Sequence, residues 1–268
     1  MNGNITRASA LPSHETGSVG RRVPTEWFLA LRLRESTSSG NLFLERVPKS
    51  AATRIREIAS LIQLTVREPL IEAGQPVDFA YFPLEGMISN VITMAGGEML
   101  EVGVIGREGI AGCTAGLTGG LSATTLYAQG AGSALKIARN DLLPALAQSG
   151  MELLLAYTES QIAALSQFAA CNRLHTTDQR FARWLLMAHD RFAGDAIMLT
   201  QELLALMLGV RRPGVTVAAM AFQRAGSISY HRGRITIVDR RALLAASCEC
   251  YASVERRFAD LMGYSIRK

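Results

Sequence analysis

Two short apolar helical patterns separated by a glycine constrain the C-terminal third of the chain most strongly. Thr200 is a good N-cap for a helix over residues 201–208, and Gly209 supplies a tight turn after it. The apolar periodicity predicts a second helix over about residues 211–225. Two short helices joined by a glycine-containing turn are typical of a helix-turn-helix.

A basic hairpin is predicted directly after the second helix. Residues 227–230 and 234–238 read as two strands around the turn His231-Arg232-Gly233, which forms a wing with a basic tip. In such a module the start of the second helix enters the major groove, and the first helix and the wing contact phosphates. The candidate DNA-binding residues are Thr200, Gln201, Arg211, Arg212, Thr216, His231, Arg232 and Arg234.

The distribution of charge agrees with this interpretation. Residues 176–268 carry fourteen Lys and Arg against eight Asp and Glu, a net charge of +6. Residues 41–175 have a net charge of −3, from nine basic and twelve acidic residues. A slightly acidic middle followed by a basic C-terminal part is the outline of a sensor joined to a polyanion-binding module, although a solvated basic surface would show the same balance.

The middle of the chain predicts many short strands. A short helix capped by Ser50 is expected to run to Ile62, and residues 64–138 then alternate apolar runs with glycine-rich turns. Strands are expected over residues 79–82, 87–94, 99–104, 124–128 and 134–138. This spacing favours a closed or rolled antiparallel sheet.

A long helix is expected over residues 141–173, with a break at Ser149-Gly150, and a further helix capped by Thr176 or Thr177 follows it. The long helix carries apolar residues at the 4-3 spacing of a coiled-coil seam. The seam residues are Met151, Leu155, Thr158, Ile162, Leu165 and Ala169. A second stripe of Leu154, Gln161 and Phe168 would pack on the sheet. The double stripe favours a homodimer helix over an intramolecular core helix.

The cysteines do not predict a metal or cofactor site. Cys248 and Cys250 are close together, but the stretch around them supplies too few ligands for zinc, and His175 reads as a surface or capping histidine. We expect reduced thiols, no metal, no cofactor and a cytoplasmic protein without a membrane segment. Residues 1–40, which include Trp27-Phe28-Leu29, read as a mostly disordered extension.

The order of these parts resembles the CRP/FNR family of bacterial transcription regulators. The run Leu199-Thr200-Gln201-Glu202-Leu203-Leu204-Ala205-Leu206-Met207-Leu208-Gly209-Val210-Arg211-Arg212 is similar to the helix-turn-helix of that family. The resemblance implies a homodimer that binds double-stranded DNA as an activator or a repressor, with RNA polymerase and a small-molecule effector as candidate partners. Pro213 and Val217 replace an acidic residue and an arginine of the family pattern, so the usual target sequence does not carry over.

The sensor departs from the cyclic-AMP receptors of the family. In those receptors a phosphate-binding cassette has a glutamate that engages the ribose and an arginine that neutralises the phosphate. The resemblance places Gly112 and Ser122 of this chain at those two positions. No Lys or Arg occurs from Gly109 to Leu135, so a buried phosphate would lack its counter-charge unless Arg107 swings in. The candidate effector-pocket residues are Glu108, Gly109, Gly112, Ser122, Thr124 and Thr125. The cysteines that hold an iron–sulfur cluster in the oxygen-sensing branch also have no counterpart before Cys113.

The sequence therefore predicts an α+β protein with four parts. Residues 1–40 form the extension, 41–140 a jelly-roll-like antiparallel β-roll sensor, 141–175 the linker and dimerisation helix, and 176–268 the winged helix-turn-helix. The predicted function is sequence-specific transcription regulation without control by cyclic AMP. The alternative is a ligand-binding regulatory subunit that does not bind DNA. No motif indicates an enzyme.

Overall fold

The computed structural model describes residues 40–113 and 118–267. The predicted N-terminal extension therefore lies outside the described residues, except for Gly40. The N-terminal part begins with two short helices, α1 (Leu42–Arg46) and α2 (Lys49–Ile58). Seven strands follow them in chain order: β1 (Ser60–Leu64), β2 (Pro69–Ile71), β3 (Phe79–Glu85), β4 (Ile88–Thr93), β5 (Met99–Ile105), β6 (Thr125–Ala128) and β7 (Gly132–Ala138).

The strands pair into two antiparallel sheets, one in the order β1-β7-β3 and one in the order β2-β6-β4-β5. The predicted antiparallel roll is thereby confirmed. The predicted helix from Ser50 to Ile62 is wrong at its end, because α2 stops at Ile58 and β1 starts at Ser60. Backbone pairing of β1 with β7, in which Ser60 lies opposite Lys136, outweighs the helical spacing of the isoleucines.

A single long helix, α3 (Arg139–Leu174), connects the roll to the C-terminal part. The predicted break at Ser149-Gly150 is wrong. On either side of it, Leu146 and Leu154 are fully buried in the core of the roll, together with Phe43 and Phe82. Packing of this face holds the helix continuous through Gly150, because tertiary contacts outweigh the weak helix propensity of glycine.

The C-terminal part is a helical domain with a small sheet. It contains α4 (Thr177–Arg191), β8 (Ala196–Met198), α5 (Gln201–Leu208), α6 (Arg212–Arg224), β9 (Ile228–His231), β10 (Arg234–Ile237), α7 (Arg240–Ala246) and α8 (Cys250–Met262). Of the two predicted caps, Thr176 and Thr177, it is Thr176 that caps α4, through a capping box with Gln179. The wing has a third strand that was not predicted, since β8 pairs with β10 and the sheet order is β8-β10-β9.

The last helix returns to the sensor. Three side chains near the C-terminus, Phe258, Met262 and Ile266, are buried in the same core as Leu146 and Leu154. The interpretation of residues 176–268 as one DNA-binding module did not foresee this packing. Among the described residues, no single helix is long and apolar enough to cross a membrane, and the bent pair of α5 and α6 meets that test only as two joined pieces.

Candidate DNA-binding surface and sensor cavity

Helices α5 and α6 have the geometry of a helix-turn-helix. Their axes are bent by 105° relative to each other, within the range of about 90–120° that is typical of this motif. Thr200 caps α5 by accepting a hydrogen bond from the backbone N–H of Leu203. Gly209 ends the helix with φ of +58°, a left-handed conformation that favours glycine. The chain therefore turns within a few residues, as the sequence predicts.

The structure brings four of the predicted DNA-binding residues together in one cleft, namely Thr200, Gln201, Arg212 and Arg232, whereas Arg211 lines a neighbouring cleft. Arg211 is the N-cap residue of α6 and Arg212 its first residue, and both are exposed. Thr216 Oγ1 donates to Gln201 Oε1 at 3.0 Å, which ties the start of α5 to the second turn of α6. Arg212 Nη1 lies 2.9 Å from Glu202 Oε1 in an exposed ion pair. Exposed ion pairs contribute little to stability, so Arg212 can exchange Glu202 for a phosphate or a base edge at small cost.

The wing extends the same surface. Arg232 and Gly233 have φ of +46° and +75°, the positive pair expected for a tight type I′ hairpin turn. The side chains of His231, Arg232 and Arg234 are exposed around this tip. A surface cleft joins the wing to both helices. Its lining residues are Thr200, Gln201, Glu202, Arg212, Tyr230, Arg232 and Gly233.

Two apolar residues on the outer face of α6 were not predicted as part of this surface. Val217 is 65% exposed and Met220 is 54% exposed, whereas Val215, Ala218 and Phe222 on the other face are buried. Exposed apolar side chains on a recognition helix can contact the methyl group of thymine. The signal was available in the sequence, because these two positions lie outside the inward-facing stripe.

The predicted effector-pocket residues only partly line one cavity. A cavity of about 120 Å³ between the roll, α3 and α4 is bordered by Gly112, Ser122 and Thr124. Glu108, Gly109 and Thr125 are not among its lining residues. A Cβ atom at Gly109 would stand 2.2 Å from the Tyr157 hydroxyl, which leaves no room for a ligand there. Thr125 Oγ1 instead accepts a hydrogen bond from the backbone N–H of Ala73, and the Ser122 hydroxyl donates to the Thr124 carbonyl at 2.7 Å.

A buried cation from another part of the chain borders this cavity, but it is already paired with a carboxylate. Arg191, at the end of α4, lines the cavity and is buried. Its Nη2 atom lies 2.8 Å and its Nε atom 2.9 Å from Glu108 Oε1. Glu108 is also buried and accepts from the backbone N–H of Gly106. Sequence reasoning missed this cation because it looked for it between Gly109 and Leu135, and the proposed substitute Arg107 is exposed.

A second buried carboxylate links the sensor to the C-terminal domain. Glu101, on β5, accepts hydrogen bonds from Trp184 Nε1 on α4 at 2.6 Å and from the Ser89 hydroxyl. Burial raises the pKa of Glu101 to about 7, although both hydrogen bonds lower it. Ser89 also contacts the sulfur of Met207 on α5. The first helix of the helix-turn-helix therefore packs directly on the sensor sheet.

The predicted seam of α3 divides by exposure. Leu155 and Ile162 are each 58% exposed and Leu165 is 40% exposed, and Ala169 is exposed as well. Met151 and Thr158 are partly buried, and Met151 packs against the core of the roll. In the second stripe, Leu154 and Phe168 are buried and Gln161 is partly buried. The helix thus packs on its own chain through the second stripe and Met151, and it presents Leu155, Ile162, Leu165 and Ala169 of the seam to solvent.

The two domains match known protein families. Residues 61–149 match the model of the cyclic nucleotide-binding domain, and residues 179–246 match the model of the Crp-like helix-turn-helix domain. No curated protein matches this chain.

Solved structures of regulators share the fold at low sequence identity. FixK2 from Bradyrhizobium japonicum is 16% identical, with a TM-score of 0.62 over 71% of this chain and 98% of that one. A CRP-family transcriptional regulator from Thermus thermophilus is 17% identical, with a TM-score of 0.56 over 77% and 98%. CLP from Xanthomonas campestris, a c-di-GMP-responsive global regulator, is 13% identical, with a TM-score of 0.56 over 71% and 99%.

The fold and the two matched domains define the class of protein: a sensor roll joined by a long helix to a winged helix-turn-helix. The chain therefore contains a cyclic nucleotide-binding domain followed by a Crp-like helix-turn-helix domain, and it has the fold of the CRP/FNR regulators.

Proposed function

We propose that this chain is a homodimeric, sequence-specific DNA-binding regulator that acts in the cytoplasm without catalysis and without control by cyclic AMP. The observation that carries the proposal is the cleft in which the start of α5, the start of α6 and the wing tip meet. Arg212 would read base edges, while Thr200, Gln201 and Arg232 would hold phosphates. Contact with RNA polymerase and response to a small effector stay predictions.

DNA selection followed by a quantitative binding assay tests the DNA-binding part. Operators are selected from random duplexes with the full chain, and affinity is then measured by fluorescence anisotropy. The double variant Arg211→Ala/Arg212→Ala should lose at least tenfold in affinity for the best operator, because a specific arginine contact contributes about 1–3 kcal/mol. Arg54→Ala, which removes an exposed arginine from α2, is the control. Equal affinity of the double variant and the wild type would place the DNA-binding surface elsewhere.

The proposed dimer interface is the exposed part of the seam of α3, which includes Leu155, Ile162 and Leu165. A second copy of the chain would pack against it. The 4-3 spacing of the stripe is self-complementary, since two such helices bury one another along a single seam. Ile162→Asp would place an unpaired charge in the seam and should yield monomers by light scattering. Val66→Asp, at an exposed apolar residue outside α3, should leave the dimer unchanged. A monomeric wild type, or a dimer that survives Ile162→Asp, would refute the interface.

The cavity supports independence from cyclic nucleotides. Its volume of about 120 Å³ is small against the roughly 300–1,000 Å³ of most small-molecule sites. Arg191 could meet a cyclic phosphate only by leaving Glu108, which would then remain buried without its cation. Removal of one partner from a buried ion pair costs about 3–5 kcal/mol, so the phosphate would bind at the expense of the fold.

A further inference from the structure

Three cysteines and one histidine that are far apart in the sequence meet where the long helix ends. Cys171 lies on the last turn of α3 and His175 is the C-cap residue of that helix, whereas Cys248 lies between α7 and α8 and Cys250 is the first residue of α8. One ligand atom from each of the four residues lies within 4.8 Å of all the others. Cys171, Cys248 and Cys250 are buried, and His175 is partly buried.

We propose that Cys171, His175, Cys248 and Cys250 bind one zinc ion. Zinc–sulfur bonds of about 2.3 Å and zinc–nitrogen bonds of about 2.0–2.1 Å in a tetrahedron place neighbouring ligand atoms about 3.5–3.8 Å apart. Cys171 Sγ and Cys248 Sγ are 3.5 Å apart, and so are Cys250 Sγ and His175 Nδ1. Three cysteines and one histidine are also a common ligand set of structural zinc sites.

The surroundings of the cluster are those of a metal site. With Nδ1 of His175 on the metal, its Nε2–H faces Glu249 Oε2 at 3.2 Å, a carboxylate partner that fixes the ring orientation. Gln167 Nε2 donates to Cys250 Sγ at 3.1 Å, as polar groups do around metal-bound thiolates. These two contacts would orient His175 and Cys250 as ligands.

The local charge also suits bound zinc. Zinc displaces the three thiol protons, so Zn²⁺ with three thiolates and a neutral histidine has a net charge of −1. Two buried arginines of α4, Arg180 and Arg183, interact electrostatically with Cys171. The Nε atom of each has no hydrogen-bond partner among the described residues. An anionic metal cluster would compensate these buried cations.

The position of the site indicates its role. All four ligands come from the protein, which is typical of a structural rather than a catalytic zinc. The site connects the end of α3 to the junction of α7 and α8. These two helices come directly after the wing in the chain. Bound zinc would therefore fix the orientation of the DNA-binding domain on the long helix.

Metal analysis of the full chain tests the proposal. The chain is purified under reducing conditions, stripped of metal and titrated with Zn²⁺ or Co²⁺. We expect one ion per chain, with the visible bands of tetrahedral cobalt and thiolate-to-cobalt charge transfer. Cys171→Ser/Cys248→Ser should abolish these bands, and Glu249→Gln should weaken metal affinity about 10- to 100-fold. Cys113→Ala, which removes a buried cysteine outside the cluster, should leave binding unchanged.

Several results would overturn the proposal. The proposal fails if titration of the wild-type protein with Co²⁺ gives no tetrahedral cobalt spectrum. It also fails if the Cys171→Ser/Cys248→Ser variant binds metal as well as the wild type does. An iron–sulfur cluster in the purified protein would assign the ligands to a different metal. If the purified protein contains a Cys171–Cys248 disulfide and binds no metal after that disulfide is reduced, the two cysteines would be a redox pair instead. Circular dichroism of each variant separates loss of ligand from loss of fold.

Discussion

The winged helix-turn-helix and the sensor roll differ in where their functional chemistry lies. In the first, the candidate residues are exposed or partly exposed and lie close in the sequence, so Arg212, Thr200 and Arg232 of the wing tip line one cleft through local turns. In the second, the decisive charge is buried and arrives from another domain, since Arg191 of α4 pairs with Glu108 of the roll. Local spacing can therefore predict which candidate DNA-binding residues lie near one another, whereas the charge inside the cavity of the roll depends on long-range packing.

The largest effect is expected at the buried ion pair. Arg191→Met leaves Glu108 buried without its cation, and should lower the free energy of unfolding by about 3–5 kcal/mol in urea denaturation. The exposed pair of Arg257 and Glu159 is the matched control, and Arg257→Met should cost less than about 1 kcal/mol. Similar losses of unfolding free energy in the two variants would mean that the buried pair of Arg191 and Glu108 stabilises the protein no more than an exposed pair does.

The next effect concerns the DNA-binding surface. Arg212→Ala should weaken binding to a selected operator by about 1–3 kcal/mol and relax its base preference, because this residue starts the recognition helix. Arg232→Ala, at the wing tip, should weaken all sequences to a similar degree and reduce the salt dependence of binding. Anisotropy titrations on the operator and on a scrambled duplex at two salt concentrations compare them. A uniform loss for Arg212→Ala would assign that residue to phosphates instead.

A smaller effect is expected from Glu101. Burial raises its pKa in the folded protein to about 7, above the value of an exposed glutamate, so the folded state binds the extra proton. Stability from this group is full at low pH and declines as pH rises through about 7, by at most about 1.4 kcal/mol per pH unit. Glu101→Gln keeps an acceptor for Trp184 and should flatten the decline between pH 5 and 8. An unchanged slope in the variant would assign the pH dependence to another group, such as Glu255, whose pKa burial also raises to about 7.

The particular residues show why the sequence predicts some features and not others. The turn at Gly209 and the cap at Thr200 depend on neighbours in the chain, and both predictions are confirmed. The predicted helix includes the first three residues of β1, because the partner strand β7 is distant in the sequence and pairs Ser60 with Lys136. Cys171 and Cys248 are 77 positions apart, so no local spacing could have placed them 3.5 Å from each other. The ion pair between Arg191 and Glu108 spans 83 positions and was missed for the same reason.

One measurement tests the central claim most directly. The full chain is titrated onto its selected operator by anisotropy, with and without saturating cyclic AMP, and cyclic AMP binding to the protein alone is followed by calorimetry. We predict tight, salt-dependent operator binding that cyclic AMP does not change, and no heat of cyclic AMP binding at micromolar concentrations. Operator binding that requires cyclic AMP, together with micromolar cyclic AMP affinity, would contradict the account.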